Sequence, residues 1–164
     1  MSSSSLPLPI INMAPWLPSN HTSTDREKQA VAEALHVACR DFGFFYLNLA
    51  GFATEAEMAR LADLGSKFFH LPQHCKDAIG LAHSDGARGY QRLNENVTMG
   101  KADNHEGLDF YRPVEKPDKR KLLWGENQWP DEDAEEAESI QGFRETFDAW
   151  VEKMKVLGLI VMQA

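Results

Sequence analysis

Two groups of residues have the composition and spacing that metal chemistry uses. His70-Leu-Pro-Gln-His74-Cys75 sets two imidazoles four positions apart with a thiol beside the second. A pair so spaced grips zinc when both rings lie on one helix face, but Pro72 interrupts any helix between them and no glutamate follows His70. His83-Ser-Asp85 has the His-x-Asp order of a facial triad for Fe(II), with His105 as the third ligand on offer. These three sit in a polar, glycine-containing stretch with no strand to hold them rigid. No metal ligand and no catalytic residue is assigned on this basis.

Arg88-Gly-Tyr90-Gln-Arg-Leu-Asn94 carries a different signal. Gly89 permits close backbone approach, and the arginine, tyrosine and asparagine around it are groups that grip a carboxylate or a polar edge. They serve equally well to pin a loop to its own domain. His105-Glu-Gly-Leu-Asp-Phe110 and Asn127-Gln-Trp-Pro130 are dense in large or charged side chains, and Trp124 and Trp129 call for substantial burial. Anchoring of loops onto a core is the expected role of both segments. No Gly-rich phosphate loop, paired-cysteine zinc pattern or nucleophilic triad is present.

The elements that must position these groups follow from patterning. Pro9 to Met13 reads as a short strand ended by Pro15 and Pro18. Thr24-Asp-Arg-Glu27 has capping-box spacing, with Val31, Ala34, Leu35, Ala38 and Phe42 at helical intervals and Gly43 as the stop. Phe44 to Leu47 is expected as a strand buried on both faces. Thr54-Glu-Ala-Glu57 opens a second helix carrying Met58, Leu61, Ala62, Gly65, Phe68 and Phe69 on one face, ending near His70, and Pro72 starts a short one running to about Ile79. Gly80 to Gly107 is expected as a long loop, followed by a strand from Gly107 to Tyr111.

Six of the eight residues from Asp131 to Glu138 are acidic. They favour the positive end of a following helix. From Ser139 the spacing of Ile140, Phe143, Phe147, Trp150, Met154, Leu157 and Val161 predicts a long helix that continues to the end of the sequence. Its last turns are apolar and lack a C-cap glycine, so the helix reads as cut, with Leu157, Ile160 and Val161 exposed.

The 164 residues, with 43% hydrophobic content and a net charge of −8, suit one ordinary core and lack the basic footprint of a nucleic-acid or anionic-membrane binder. Cys39, expected on the buried side of its helix, and Cys75, expected among polar residues, point to reduced thiols. No signal peptide or membrane-spanning run is evident, which makes the cytoplasm the expected compartment.

Six segments in order resemble the isopenicillin N synthase-like family of Fe(II)- and 2-oxoglutarate-dependent oxygenases, in its N-terminal region. They are Leu8-Pro-Ile-Ile-Asn12, Asp41-Phe-Gly-Phe-Phe-Tyr46 with Asn48, Phe68-Phe-His-Leu-Pro72 with Lys76, Arg88-Gly-Tyr90, His105-Glu-Gly-Leu-Asp109 and Asn127-Gln-Trp-Pro130. The wording of Tyr111-Arg-Pro and Leu122 to Pro130 is most similar to fungal members. Leu49-Ala-Gly follows Asn48 where relatives often have His-Gly, a departure confined to a turn.

The resemblance implies an α+β fold in which N-terminal helices and strands buttress a double-stranded β-helix, the jelly-roll core itself being largely missing here. Residues 1–7 are expected to be flexible and residues 8–164 to form the non-haem dioxygenase N-terminal domain. In the complete enzyme it implies Fe(II) held by two histidines and a carboxylate, with 2-oxoglutarate as cosubstrate and a small organic molecule as substrate. The triad and an Arg-x-Ser for 2-oxoglutarate are expected beyond Ala164, and no cofactor is expected on this chain alone. Arg88, Tyr90 and Asn94 are the residues expected on the substrate side.

Three functions remain in competition. The first is the scaffold portion of an oxygenase, inactive by itself. The second is a stand-alone module that self-associates through its apolar C-terminal helix. The third is a small metalloenzyme built on His83, Asp85 and His105.

Overall fold

A computed structural model describes residues 7–164. The expected flexible stretch therefore lies almost wholly outside the described residues. The chain is α+β and divides into two compact units, Met1–Arg60 with Asp148–Ala164, and Leu61–Phe147. Among the described residues no helix is long and apolar enough to cross a membrane.

The first unit is a strand, a helix and a parallel strand. Thr24 caps helix α1 (Asp25–Asp41): its hydroxyl accepts from the Glu27 N–H at 3.3 Å and its own N–H donates to the Glu27 carboxylate at 2.7 Å. This is the reciprocal box that the spacing predicts. The helix returns the chain so that β1 (Ile10–Asn12) pairs in parallel with β2 (Tyr46–Asn48), Ile10 opposite Tyr46. Val31, Leu35 and Ala38 bury against Ile11, Met13, Leu17 and Ile160.

Three expectations fail in this unit. The second strand starts at Tyr46 rather than Phe44 and is not covered on both faces: Tyr46 is 61% exposed, and Phe44, just before the strand, is 72% exposed. The sheet has two strands, and an apolar run reads the same whether its outer face is covered or open. Cys39 and Ala34 are exposed, because the buried stripe of α1 is narrow and Cys39 lies about 100° around the helix from Ala38. Leu157 and Ile160 are buried, so the exposed apolar residues near the chain end are Val156, Leu159 and Met162.

The second unit gathers around the end of helix α2 (Glu55–Phe69), which starts in the first unit behind a second capping box at Thr54 and Glu57. Leu64 and Phe68 are fully buried among Leu71, Ile79, Tyr90, Ile140 and Phe143. Cys75 is half-buried: it packs against this core while its Sγ lies 3.4 Å from His74 Nε2. Helix α3 (Gln73–Asp77) follows Pro72 and is shorter than expected. The expected loop contains β3 (Gly89–Gln91), antiparallel to β6 (Gly107–Asp109), and a hairpin of β4 (Val97–Thr98) and β5 (Lys101–Ala102). Strands of two and three residues are too short to show an alternating pattern in sequence.

The long helix starts later than its periodicity suggests. Glu135–Ile140 forms a 3-10 helix, Gln141 is extended at ψ 130°, and α4 runs from Phe143 to Gln163. Ile140 is buried from the 3-10 segment, which preserves the apolar spacing across a real break. Trp129 stacks on Phe110 with ring centroids 4.2 Å apart, as an anchoring role requires. Trp124 is half exposed, contrary to expectation.

Candidate functional site

Arg88 is the organising side chain of the second unit. It enters β3 beside Gly89, whose φ of 123° and lack of Cβ let the chain pass the Ile79 carbonyl; a Cβ there would lie 2.3 Å from that oxygen. At 2% exposure the guanidinium must be paired, and it is. Nη1 donates to Asp85 Oδ2 at 2.5 Å, Nε to Asn127 Oδ1 at 3.2 Å and Nη2 to the Arg112 carbonyl at 3.0 Å. The guanidinium also lies over the Tyr111 ring, 5.2 Å from its centroid.

Asp85 is equally committed. Oδ1 accepts from the N–H groups of Ala87 and Arg88, both at 3.1 Å, and Oδ2 accepts from the N–H of Gly125 at 2.7 Å as well as from Arg88. Burial pushes this carboxyl up, but the three backbone donors and the guanidinium outweigh it and hold it at about 2. Gly125 is required at the contact, since a Cβ would sit 2.5 Å from Ser84 Oγ and 3.0 Å from Asp85.

A second buried network lies behind β3. The Tyr90 hydroxyl donates to Glu106, which also accepts from Lys76 Nζ at 3.0 Å, and Lys76 donates to the Phe69 carbonyl at 2.9 Å. The Tyr90 bond, and with it Lys76, holds Glu106 below the usual carboxylate range against the opposing effect of burial. Burial, reinforced by Glu106, raises Tyr90. Burial lowers Lys76, and its partners more than compensate, leaving it raised. The three hold one ionic pattern, lysine charged and tyrosine neutral around one carboxylate.

Asn127 and Gln128 tie the networks together. Asn127 brackets the Tyr111 backbone, and Gln128 Nε2 donates to the carbonyls of Gly80 at 3.0 Å and Arg88 at 2.7 Å. Arg88 and Tyr111 form part of an open cavity of ≈ 590 Å³ with Arg112, Lys116, Leu123 and Trp124 in its wall. With Arg88 committed to Asp85, the wall offers Arg112 and Lys116 with Glu115 between them, beside apolar and aromatic surface, which suits a small molecule that is part polar and part apolar. Of the residues expected on the substrate side, Arg88 reaches this cavity. Tyr90 faces the core, and Asn94 is an exposed turn residue at φ 66° whose N–H donates to the Asp103 carbonyl.

The triad His83, Asp85 and His105 does not fit Fe(II). Both Asp85 oxygens are occupied by four N–H donors, one of them cationic, so no lone pair faces outward for a metal. Among the described residues one other group of ligands does come together, His74, Cys75 and Glu136. Sequence spacing had paired His74 with His70, whose Nδ1 is instead 2.7 Å from the Ser66 carbonyl. Glu136, some sixty residues away, gave no local signal. The partners of Arg88 and Tyr90 were visible only as motif letters, since Asp85 and Glu106 stand on separate segments.

The family described as non-haem dioxygenase in morphine synthesis N-terminal matches residues 8–132. A homoarginine-6-hydroxylase of Oryza sativa subsp. japonica is 37% identical over 129 residues, covering 75% of this chain and 39% of that protein. A 1-aminocyclopropane-1-carboxylate oxidase of Dictyostelium discoideum is 28% identical over 159 residues, covering 96% and 41%. A full-length Neurospora crassa protein solved with alpha-KG and thymine superposes with a TM-score of 0.69 at 23% identity, over 99% of this chain and 48% of that one. The chain thus spans less than half the length of these relatives.

Proposed function

The chain belongs to the non-haem dioxygenase N-terminal family, and from that premise we propose that it is the scaffold portion of an Fe(II)- and 2-oxoglutarate-dependent oxygenase acting on a small organic substrate. Its helices and strands buttress a jelly roll that supplies the iron and 2-oxoglutarate ligands, and alone the chain has no oxygenase activity. One observation carries the reading. The motif residues Lys76, Arg88, Tyr90, Glu106, Asn127 and Gln128 bond to one another and to backbone, so their polar groups are spent on holding a wall rather than on chemistry. Arg88, which reaches the cavity, marks the substrate side of that wall. The cytoplasm is the proposed compartment and a fungus the proposed source.

Anaerobic titration of the 164-residue chain with Fe(II) and 2-oxoglutarate tests this. The expected result is no iron-to-2-oxoglutarate charge-transfer absorption and no 2-oxoglutarate turnover on admission of O2. Turnover is expected once the chain is joined to a segment carrying His-x-Asp, a later His and Arg-x-Ser. An absorption band from the chain alone that His83→Ala abolishes would overturn the scaffold reading.

A second reading rests on Val156, Leu159 and Met162, which are exposed on α4. It makes the chain a module that pairs through this helix. Sedimentation separates the two: a discrete dimer supports the module, whereas polydisperse association supports a scaffold lacking its partner.

A further inference from the structure

His74 and Cys75 lie on α3, and Glu136 lies on the 3-10 helix Glu135–Ile140. One ligand atom from each falls within 4.8 Å of the other two. His74 Nε2 is 3.4 Å from Cys75 Sγ and 3.9 Å from Glu136 Oε1. Tetrahedral zinc, with its ordinary bond lengths, puts a sulfur and a nitrogen ligand about 3.5 Å apart and a nitrogen and an oxygen ligand about 3.4 Å apart. The His74–Cys75 edge already matches and the His74–Glu136 edge needs a shift of roughly half an ångström, while the Cys75–Glu136 edge lies within 4.8 Å and closes by rotation of the exposed Glu136 side chain.

The carriers of these ligands are fixed, which separates the trio from a chance meeting of surface side chains. Cys75 packs against the core cluster that contains Ala137 and Ile140, at 1% and 0% exposure. Glu136 is thus presented by a segment held in the core that Cys75 touches by buried Ala137 and Ile140 after it and by partly buried Ala134 before it. His74 and Glu136 are themselves exposed, so an ion can arrive and the fourth position opens to water. One imidazole, one thiolate and one carboxylate form a donor set of borderline softness, which favours zinc and disfavours magnesium or calcium.

We propose that His74, Cys75 and Glu136 bind one zinc ion, with water as the fourth ligand, fastening α3 to the segment that leads into α4. Binding exchanges the Cys75 S–H proton for a zinc–sulfur bond, with the proton released to solvent. The proposal stands or falls independently of the oxygenase reading.

The test is titration of the reduced 164-residue chain with Co(II) as a spectroscopic stand-in, followed by displacement with Zn(II). The expected result is one equivalent bound, with tetrahedral ligand-field absorption and a thiolate-to-cobalt charge-transfer band that Zn(II) bleaches. Cys75→Ser removes the charge-transfer band, and Glu136→Gln weakens binding tenfold or more without touching the core. His70→Ala and Cys39→Ser leave both unchanged. Absence of a stoichiometric band in chain shown to be folded by circular dichroism overturns the proposal. A band that survives Cys75→Ser, or an affinity unmoved by Glu136→Gln, does so as well. Because 2-oxoglutarate takes no part in this experiment, its failure is distinct from failure of the oxygenase reading.

Discussion

The Asn127 side chain brackets the backbone of Tyr111, accepting from its N–H at 3.0 Å and donating to its carbonyl at 2.8 Å. The same Oδ1 accepts from Arg88 Nε at 3.2 Å. One amide therefore fixes two walls of the cavity at once. Asn127→Ala leaves a donor and an acceptor of Tyr111 and one N–H of Arg88 without their partner. The expected destabilisation is about 1–3 kcal/mol for each of these groups that stays buried. Urea denaturation measures it, and Asn127→Asp should recover only part, because a carboxylate cannot donate to the Tyr111 carbonyl.

Asp85 makes acid stability the next prediction. Its pKa of about 2 lies below the usual carboxylate value, so its contribution is fully present above pH ~4 and is lost as pH falls from there toward 2. A shift of this size in a buried group corresponds to roughly 2 kcal/mol. Glu106, also lowered, adds in the same direction. Denaturant midpoints measured from pH 6 to pH 2 should fall steeply below pH 4 for the natural chain. Asp85→Asn should be less stable at pH 6 and flatter below pH 4. Tyr90 and Lys76 are both raised, so their contribution is present below pH ~10 and lost as pH rises beyond it.

Local chemistry was legible in the sequence and long-range chemistry was not. The capping boxes at Thr24 and Thr54 form as their spacing predicts, because donor and acceptor are three residues apart on a helix that the apolar stripe already demands. The pairs that build the candidate site join Asp85 to Gly125, Tyr90 to Glu106 and Gln128 to Gly80 across 16 to 48 residues. No periodicity records such a separation. Phe44 and Tyr46 show the complementary limit. The apolar run marked a strand that forms two residues later, from Tyr46 to Asn48, yet whether a neighbour covers its outer face is a property of surrounding chain that the run itself does not carry.

Gly89→Ala should be among the most damaging single substitutions. The left-handed backbone alone costs about 1–3 kcal/mol. The added methyl would also meet the Ile79 carbonyl oxygen and Gln128 Nε2, each 2.3 Å away. Since Gln128 bonds the Arg88 carbonyl, the strain transmits to the cavity wall. Thermal unfolding by circular dichroism should show a large fall in midpoint, with Gly107→Ala, which has nothing within 4 Å of its new methyl, as the mild control.

Glu132 provides the last prediction, since it caps α4 from ten residues upstream. Its Oε2 accepts from the N–H of Gly142 at 2.6 Å and of Phe143 at 3.2 Å, and Oε1 accepts from Arg144 at 2.9 Å. The acidic run thus reaches the positive end of the helix through one residue, after the 3-10 segment has folded the chain back. Glu132→Gln keeps one acceptor but loses the charge that the helix dipole favours, while Glu132→Ala loses the cap, at about 0.5–2 kcal/mol. Hydrogen exchange resolves the effect by position: Glu132→Ala should speed exchange at Gly142, Phe143 and Arg144 and leave the amides around Leu64 unchanged. Uniform loss of protection instead would mean that Glu132 holds the whole core rather than the end of one helix.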